Sequence, residues 1–264
     1  HPVLVLALLP RYRTFLAYER AVFLPESKTR ILYLTPNQKR DFMEVYGTPD
    51  ERFTLLPPGI PADRRRPGNA GEVRERKRAE LGVMPDETLL LEVGSGFRTK
   101  GVDRTLRALA SLRGAAAEKT KLFIAGRESS GRFAALAADL KLTGRVTFGG
   151  GRDDVAELLL AADLVVHPAR NEATGTVLVE ALAAGTPVLC TENCGFANYV
   201  TESGGAVLPE PFDEGAFERL LEEILTSPGR LETMRSAAEA YGASADFYRR
   251  ADAAVDCLEE AANG

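Results

Sequence analysis

From Thr88 onward, apolar and polar positions fall into a regular rhythm. Short apolar runs at Leu89–Val93, Lys121–Ala125, Arg145–Phe148, Asp163–Val166, Pro187–Cys190 and Ala206–Leu208 predict strands. Segments with helical spacing separate them: Asp103–Leu112, Arg132–Leu140, Asp154–Ala161, Gly175–Ala184 and Glu214–Leu225. Strands too apolar to have a wet face, alternating with helices, predict a parallel sheet covered on both sides. Right-handed crossovers make this an α/β, doubly wound, Rossmann-like domain, with ligands expected at the carboxyl ends of the strands.

One helix breaks its own pattern. Val177, Leu178, Val179, Ala181 and Leu182 surround Glu180, so the segment lacks a broad polar face and is expected to be buried. A buried carboxylate is costly without donors. Two readings stand: Glu180 pairs with a core Arg or Lys, or it holds sugar hydroxyls of a ligand. The turn before it, Ala173-Thr174-Gly175-Thr176, is small and leads into a helix N-terminus, where amides and the helix dipole suit an anion such as phosphate. That turn tips the balance toward a ligand.

Upstream the pattern is shorter. Thr29–Thr35 and Phe53–Leu56 read as strands and Asn37–Tyr46 as a helix with Pro36 at its start, a βαβ fragment too small to bury itself. Pro57-Pro58-Gly59-Ile60-Pro61 is a stiff connector and the expected domain boundary. The charged run Glu72–Glu80 reads as a solvated helix face. Residues 1–25 carry Arg11, Arg13 and Arg20 among Tyr12, Phe15, Leu16 and Tyr18. This pattern favours a core helix whose packing partner precedes residue 1 over an interfacial one on an anionic membrane. Leu231–Asn263 reads as helical and Ala-rich.

Composition adds exclusions. The chain has 264 residues, 45% hydrophobic and 27% charged, with net charge -5, which gives no case for nucleic acid. Three cysteines and two histidines form no ligand-like spacing and read as reduced thiols of a cytosolic protein. No apolar run reaches the roughly 18–20 residues of a membrane span. No signal-peptide pattern is present.

The chemistry-bearing loops all follow strands. Gly94-Ser95-Gly96-Phe97-Arg98-Thr99-Lys100-Gly101 combines glycines with two cations suited to a diphosphate. Its spacing is neither a dinucleotide fingerprint nor a P-loop. Gly149-Gly150-Gly151-Arg152 allows a base to lie on backbone with Arg152 stacking on it, whereas Asp153 or Asp154 reads equally as a helix cap. His167 reads as structural, with nothing nearby to activate it. Asn193–Tyr199 is a weaker candidate wall for a sugar pocket. No Ser-His-Asp set, HExxH or CxxC is present, so nucleophilic and metal catalysis lack support. Cationic loops with Glu172 and Glu180 on one edge suggest a nucleotide-sugar.

Glu172, seven residues, then Glu180, preceded by His167-Pro168 and followed by Ala184-Gly185-Thr186-Pro187-Val188, resembles the donor signature of family 4 retaining glycosyltransferases. Pro57-Pro58-Gly59-Ile60 with Asp63-Arg64, Val93-Gly94-Ser95, Lys100-Gly101-Val102-Asp103-Arg104, Gly151-Arg152 and Cys194-Gly195-Phe196-Ala197-Asn198-Tyr199 narrow the likeness. They resemble the lipopolysaccharide-core glucosyltransferases, which add an α-linked hexose to inner-core heptose. The likeness runs from about Arg11 to the C-terminus.

The resemblance implies a GT-B fold. Residues 1–60 would be a remnant of the N-terminal acceptor-binding domain, 61–235 the C-terminal nucleotide-sugar-binding domain, and 236–264 a helical segment packing back toward the first. Residues 1–60 lack the family's Gly-rich first loop and its acidic acceptor-side residue. By the same likeness Lys100 and Arg98 hold the diphosphate, Glu180 the ribose and Glu172 the transferred sugar. Thr174, Gly175, Thr176 and Val177 offer amides to phosphate, Arg152 lies near uracil, and Gly94, Ser95 and Arg64 border the donor. Ser95 stands where many relatives carry Arg, leaving that charge to Arg98 or Arg64. The implied catalytic set is Glu172, Lys100 and Arg98.

The implied partners are a UDP-sugar donor and a lipopolysaccharide-core acceptor, with no cofactor, no metal and no nucleic acid. Contact with the cytoplasmic face of the inner membrane would run through residues 1–25. Two other readings remain. One is a UDP-sugar epimerase-like GT-B enzyme; the other is a UDP-sugar-binding fragment that does no chemistry.

Overall fold

The computed structural model describes residues 10–263. The chain divides into two compact units, Pro58–Arg249 and a smaller one made of residues up to Pro57 together with the segment from Arg250.

In the smaller unit, α1 (Pro10–Phe23) precedes β1 (Ile31–Tyr33), α2 (Pro36–Tyr46) and β2 (Phe53–Leu55), and α13 (Arg250–Asn263) closes the chain. β1 and β2 pair in parallel, Ile31 opposite Phe53. The signals that start and stop α2 are local. Thr35 accepts the Gln38 N–H, Pro36 sits in the first turn, and Gly47 takes the left-handed conformation at φ 66. Of residues 1–25, residues 1–9 lie outside the described residues, and no residue of α1 is buried against the described part of the chain. Tyr12, Phe15 and Tyr18 are 36%, 54% and 66% exposed.

The larger unit begins with α3 (Ala70–Glu80). It continues through β3 (Thr88–Val93), α4 (Phe97–Lys100), α5 (Val102–Ser111), α6 (Gly114–Lys119), β4 (Thr120–Ala125), α7 (Gly131–Asp139) and β5 (Val146–Gly150). Then come α8 (Val155–Ala161), β6 (Leu164–His167), α9 (Thr176–Ala183), β7 (Val188–Thr191), α10 (Ala197–Glu202), β8 (Ala206–Leu208), α11 (Glu214–Thr226) and α12 (Arg230–Ser244). The six strands are parallel in the order β5-β4-β3-β6-β7-β8. The order reverses between β3 and β6, the switch point at which such sheets open a ligand crevice. On one face Leu90, Leu122, Ile124, Leu164 and Val166 pack against Leu106 and Leu109 of α5 and Phe217 and Leu221 of α11.

Three expectations are corrected. The Glu72–Glu80 run is not a solvated face, because Val73, Lys77 and Arg78 on α3 are buried. Lys77 Nζ binds Glu80 Oε2 at 2.7 Å, Asp154 Oδ2 at 2.8 Å and Glu157 Oε2 at 3.0 Å. Arg78 Nη1 binds Asp163 Oδ2 at 2.8 Å, while Arg74 donates to the carbonyls that end α8. Buried cations require such partners, and three of these carboxylates, Asp154, Glu157 and Asp163, lie more than seventy positions away, out of reach of a local pattern. Second, the helical stretch from 231 is two helices, and the division expected near 235 falls inside α12; the segment that groups with the first unit starts at Arg250. Third, β3 is not wholly apolar. Glu92 is fully buried, and its two oxygens have no hydrogen-bond partner.

Burial pushes the Glu92 carboxyl up to about 8, against a smaller opposing pull from Thr105. The unfolded chain ionises Glu92 near its ordinary 4.5, whereas the folded protein holds it neutral up to about 8. Across that window stability falls as pH rises. We expect Glu92→Gln to melt on the order of 5 °C or more above the wild type at pH 8.5 and close to it at pH 4 in a calorimetric series. An equal shift at both pH values would refute a neutral Glu92.

Candidate functional site

Lys100 and Glu172 meet at the switch point. The loop after β3 carries Lys100 on the one-turn helix α4, and the loop after β6 carries Glu172. Gly94, at φ +143, lies under the Lys100 stem, and a Cβ there would stand 3.3 Å from Lys100 Cε. Gly101, at φ +87, lets the turn come against the next loop, since an added Cβ would fall 2.1 Å from the Pro168 carbonyl oxygen. Lys100 Nζ then reaches Glu172 Oε2 in an ion pair. His167, buried at the end of β6, puts Nε2 3.2 Å from the same oxygen. Burial raises the Glu172 carboxyl, but His167 and Lys100 outweigh it and hold the group down at about 2.

His167, read from the sequence as structural with nothing nearby to activate it, has Glu172 as its neighbour. It braces the acid that the donor signature singles out, and its Nδ1 is buried without a hydrogen-bond partner. The backbone around Glu172 is held from the far side as well: its carbonyl accepts the Gly195 N–H at 3.0 Å, and that of Thr174 accepts the Phe196 N–H at 2.8 Å. The Asn193–Tyr199 segment thus supports the Glu172-bearing loop through main-chain bonds.

Gly175, at φ +80, is the N-cap of α9, and no side chain caps the helix. The amides of Thr176 and Val177 thus begin a helix whose start lies four residues beyond Glu172, and Ala173 in the turn is exposed. Such a terminus suits an anion. Glu180, one turn further on, is partly buried and sits 3.6 Å from Arg64 Nε. Burial raises its carboxyl, Arg64 lowers it and Asp63 raises it, with the net direction upward. Both sequence readings meet in this pair: the acid has a cation partner, and that cation is Arg64, itself expected at the donor. The contact is loose, for Arg64 Nε makes no hydrogen bond.

The remaining expected residues are less tightly gathered. Ser95 Oγ accepts the Arg127 N–H at 3.2 Å, tying two strand-end loops together. Arg98 is exposed, and its carbonyl accepts from Arg170 at 2.8 Å. Arg152 is committed to Asp154 by bonds of 2.7 and 2.5 Å, with Glu80 at 3.8 Å. It belongs to the charged network of α3 and α8, and among the described residues no contact links it to the Lys100–Glu172–His167 group. The pair with Asp154 occupies N–H groups in the guanidinium plane and leaves its faces for stacking. Asp154 is the N-cap residue of α8 and makes no side-chain cap hydrogen bond. Sequence reasoning used Asp103 and Arg104 only for the family likeness, with no role assigned, and missed Glu128 and Arg170. Arg104 donates to the Pro168 carbonyl at 3.0 Å and lies 3.6 Å over the Phe212 ring; the Glu128 carboxylate accepts the Phe97 N–H at the start of α4.

Comparison with known proteins identifies the family. The family model for glycosyl transferases group 1 matches residues 73–241. The chain is 41% identical to the lipopolysaccharide glucosyltransferase WaaG of Escherichia coli over 96% of its own length and 68% of the relative's. It is 30% identical to the D-inositol 3-phosphate glycosyltransferase of Nocardia farcinica, of which it spans 52%. The crystal structure of WaaG superposes with a TM-score of 0.88 at 40% identity, covering 96% of this chain and 69% of that one. Anabaena HepE, solved in complex with UDP and glucose, shares the fold at 20% identity and a TM-score of 0.76, covering 89% of this chain and 64% of that one. The fold is of the GT-B type, and the chain belongs to the glycosyl transferases of group 1.

Proposed function

We propose that this chain transfers a hexose, glucose in the first instance, from a UDP-sugar to the inner-core heptose of lipopolysaccharide, with retention at the anomeric carbon. The reading is carried by one observation: Lys100 and Glu172 converge at the sheet's switch point, beside an uncapped helix N-terminus. In the reaction the bond from anomeric carbon to diphosphate breaks with its electrons going to phosphate oxygen. An acceptor hydroxyl forms the new bond from the same face, and its proton passes to the departing diphosphate.

The residues divide this work. Lys100, Arg98 and the amides of Thr176 and Val177 meet the charge that grows on the leaving diphosphate, a preorganised field that requires no metal. Glu172, braced by His167, accepts hydrogen bonds from sugar hydroxyls. Glu180 accepts from the ribose, with Arg64 alongside. No helix among the described residues is long and apolar enough to cross a membrane. The exposed Tyr12, Phe15 and Tyr18 with Arg11, Arg13 and Arg20 suit an interfacial helix, so α1 would rest on the cytoplasmic face of the inner membrane.

Two measurements test the reading. In calorimetry we expect Lys100→Ala to weaken UDP binding on the order of tenfold or more, and Glu180→Ala somewhat less, reflecting a lost charge-assisted bond and a lost ribose acceptor. Unchanged UDP affinity in both folded variants would overturn the site. With radiolabelled UDP-glucose and a heptosylated core acceptor, Glu172→Gln should lose transfer by on the order of a hundredfold while retaining UDP affinity. UDP release from the donor without any acceptor product would instead favour an epimerase-like enzyme.

A further inference from the structure

Arg170 stands between the two loops that form the switch-point site. Its guanidinium grips Asp103 with two parallel bonds, Nη1 to Oδ1 at 2.8 Å and Nη2 to Oδ2 at 2.7 Å. Nη1 also donates to the Arg98 carbonyl at 2.8 Å, and the Arg170 N–H donates to the Thr99 carbonyl at 2.7 Å. The Arg170 carbonyl in turn accepts from Asn193 Nδ2 at 2.8 Å. One residue thus holds the Arg98–Lys100 turn and the first turn of α5 on one side and the segment after β7 on the other. Glu172 lies two positions downstream of it.

We infer that the Arg170–Asp103 pair is a strut that positions the Lys100-bearing turn against the Glu172-bearing loop, setting the grip on the distal phosphate of the donor. The inference rests on the proposed transferase reading and adds residues that the donor signature does not include. Several features argue for positioning over simple surface pairing. The fork is two-pronged, a geometry that fixes orientation as well as distance. It lies beside backbone bonds to Arg98 and Thr99, the residues just before Lys100. Without it, α4 is a single turn of four residues flanked by two left-handed glycines, Gly96 at φ +81 and Gly101 at φ +87, with Glu128 bonded to its first amide. A turn hinged on glycine at both ends has little stiffness of its own. Arg104, donating to the Pro168 and Ala169 carbonyls, is a second tie, but it reaches the loop upstream of Arg170 and leaves Arg98 and Thr99 untouched.

The test compares UDP with UMP, which lacks the distal phosphate, by titration calorimetry on the whole chain. The proteins are the wild type, Arg170→Ala, Arg170→Lys, Asp103→Asn and the double variant Asp103→Asn/Arg170→Ala, each checked for a wild-type-like melt. We expect Arg170→Ala and Asp103→Asn each to weaken UDP by on the order of tenfold through misplacement of the turn, with UMP changing by about twofold or less. The double variant should be no weaker than either single one, because both remove one interaction. Arg170→Lys keeps the charge without the fork and should recover only part of the loss; should Arg170→Ala fold poorly, Arg170→Lys carries the same comparison. An unchanged ratio of UDP to UMP affinity in folded variants overturns the strut, as does an equal loss for both nucleotides, which marks a general stabilising role. If the wild type binds neither nucleotide, the transferase reading falls and this inference with it; if the wild type binds UDP and the ratio does not move, only the strut falls.

Discussion

The parallel pairing of β3 with β6 governs the rest of the site. Leu90 lies opposite Leu164 and Leu91 opposite Val165, although more than seventy residues separate them. From this seam the chain winds outward in both directions, so the loops leaving β3 and β6 at their carboxyl ends are the pair between which a crevice forms. Lys100 comes from one and Glu172 from the other. Their meeting follows from strand order, and the apolar register that fixes that order is the underlying cause of the charged contact above it.

Burial then sets the character of each charged group. Glu172 has two donors and stays ionised well below its ordinary range, whereas Glu92 has no hydrogen-bond partner and is held neutral. Both acids sit close to the same switch point, on opposite sides of the line between a satisfied and an unsatisfied carboxyl. Glu180 falls between them, raised by burial and only loosely opposed by Arg64. The same logic governs α3, where Lys77 and Arg78 are tolerated inside because each meets carboxylates brought in from distant elements.

Much of this was legible in the residues. The six strands of the large sheet were read within one or two positions of where they lie, because buried parallel strands are short apolar runs bounded by turns. Glu180 stood out as a lone carboxylate in an apolar helix, whereas Glu172 and Lys100 took their roles from the family likeness. Other features were hidden for physical reasons. Gly94-Ser95-Gly96 reads as loop, so the turn of helix at Phe97–Lys100 gave no periodic signal. The cations of α3 looked solvated because their partners lie on α8 and just before β6. His167 looked idle because its partner, five positions on, folds back only after the turn at Pro168. Glu92 did carry a signal, a lone acid in an apolar strand, of the same kind that flagged Glu180.

The Lys100–Glu172 contact also bears on selectivity. The two side chains already satisfy one another, so an arriving anion competes with a carboxylate seated inside the protein. Inorganic phosphate gives the ammonium a substitute but strands a partly buried acid, which is costly. A sugar nucleotide supplies both sides of the exchange at once, oxygens for the lysine and hydroxyl protons for the glutamate. Discrimination against small cellular anions would then reside in a residue that never touches phosphate.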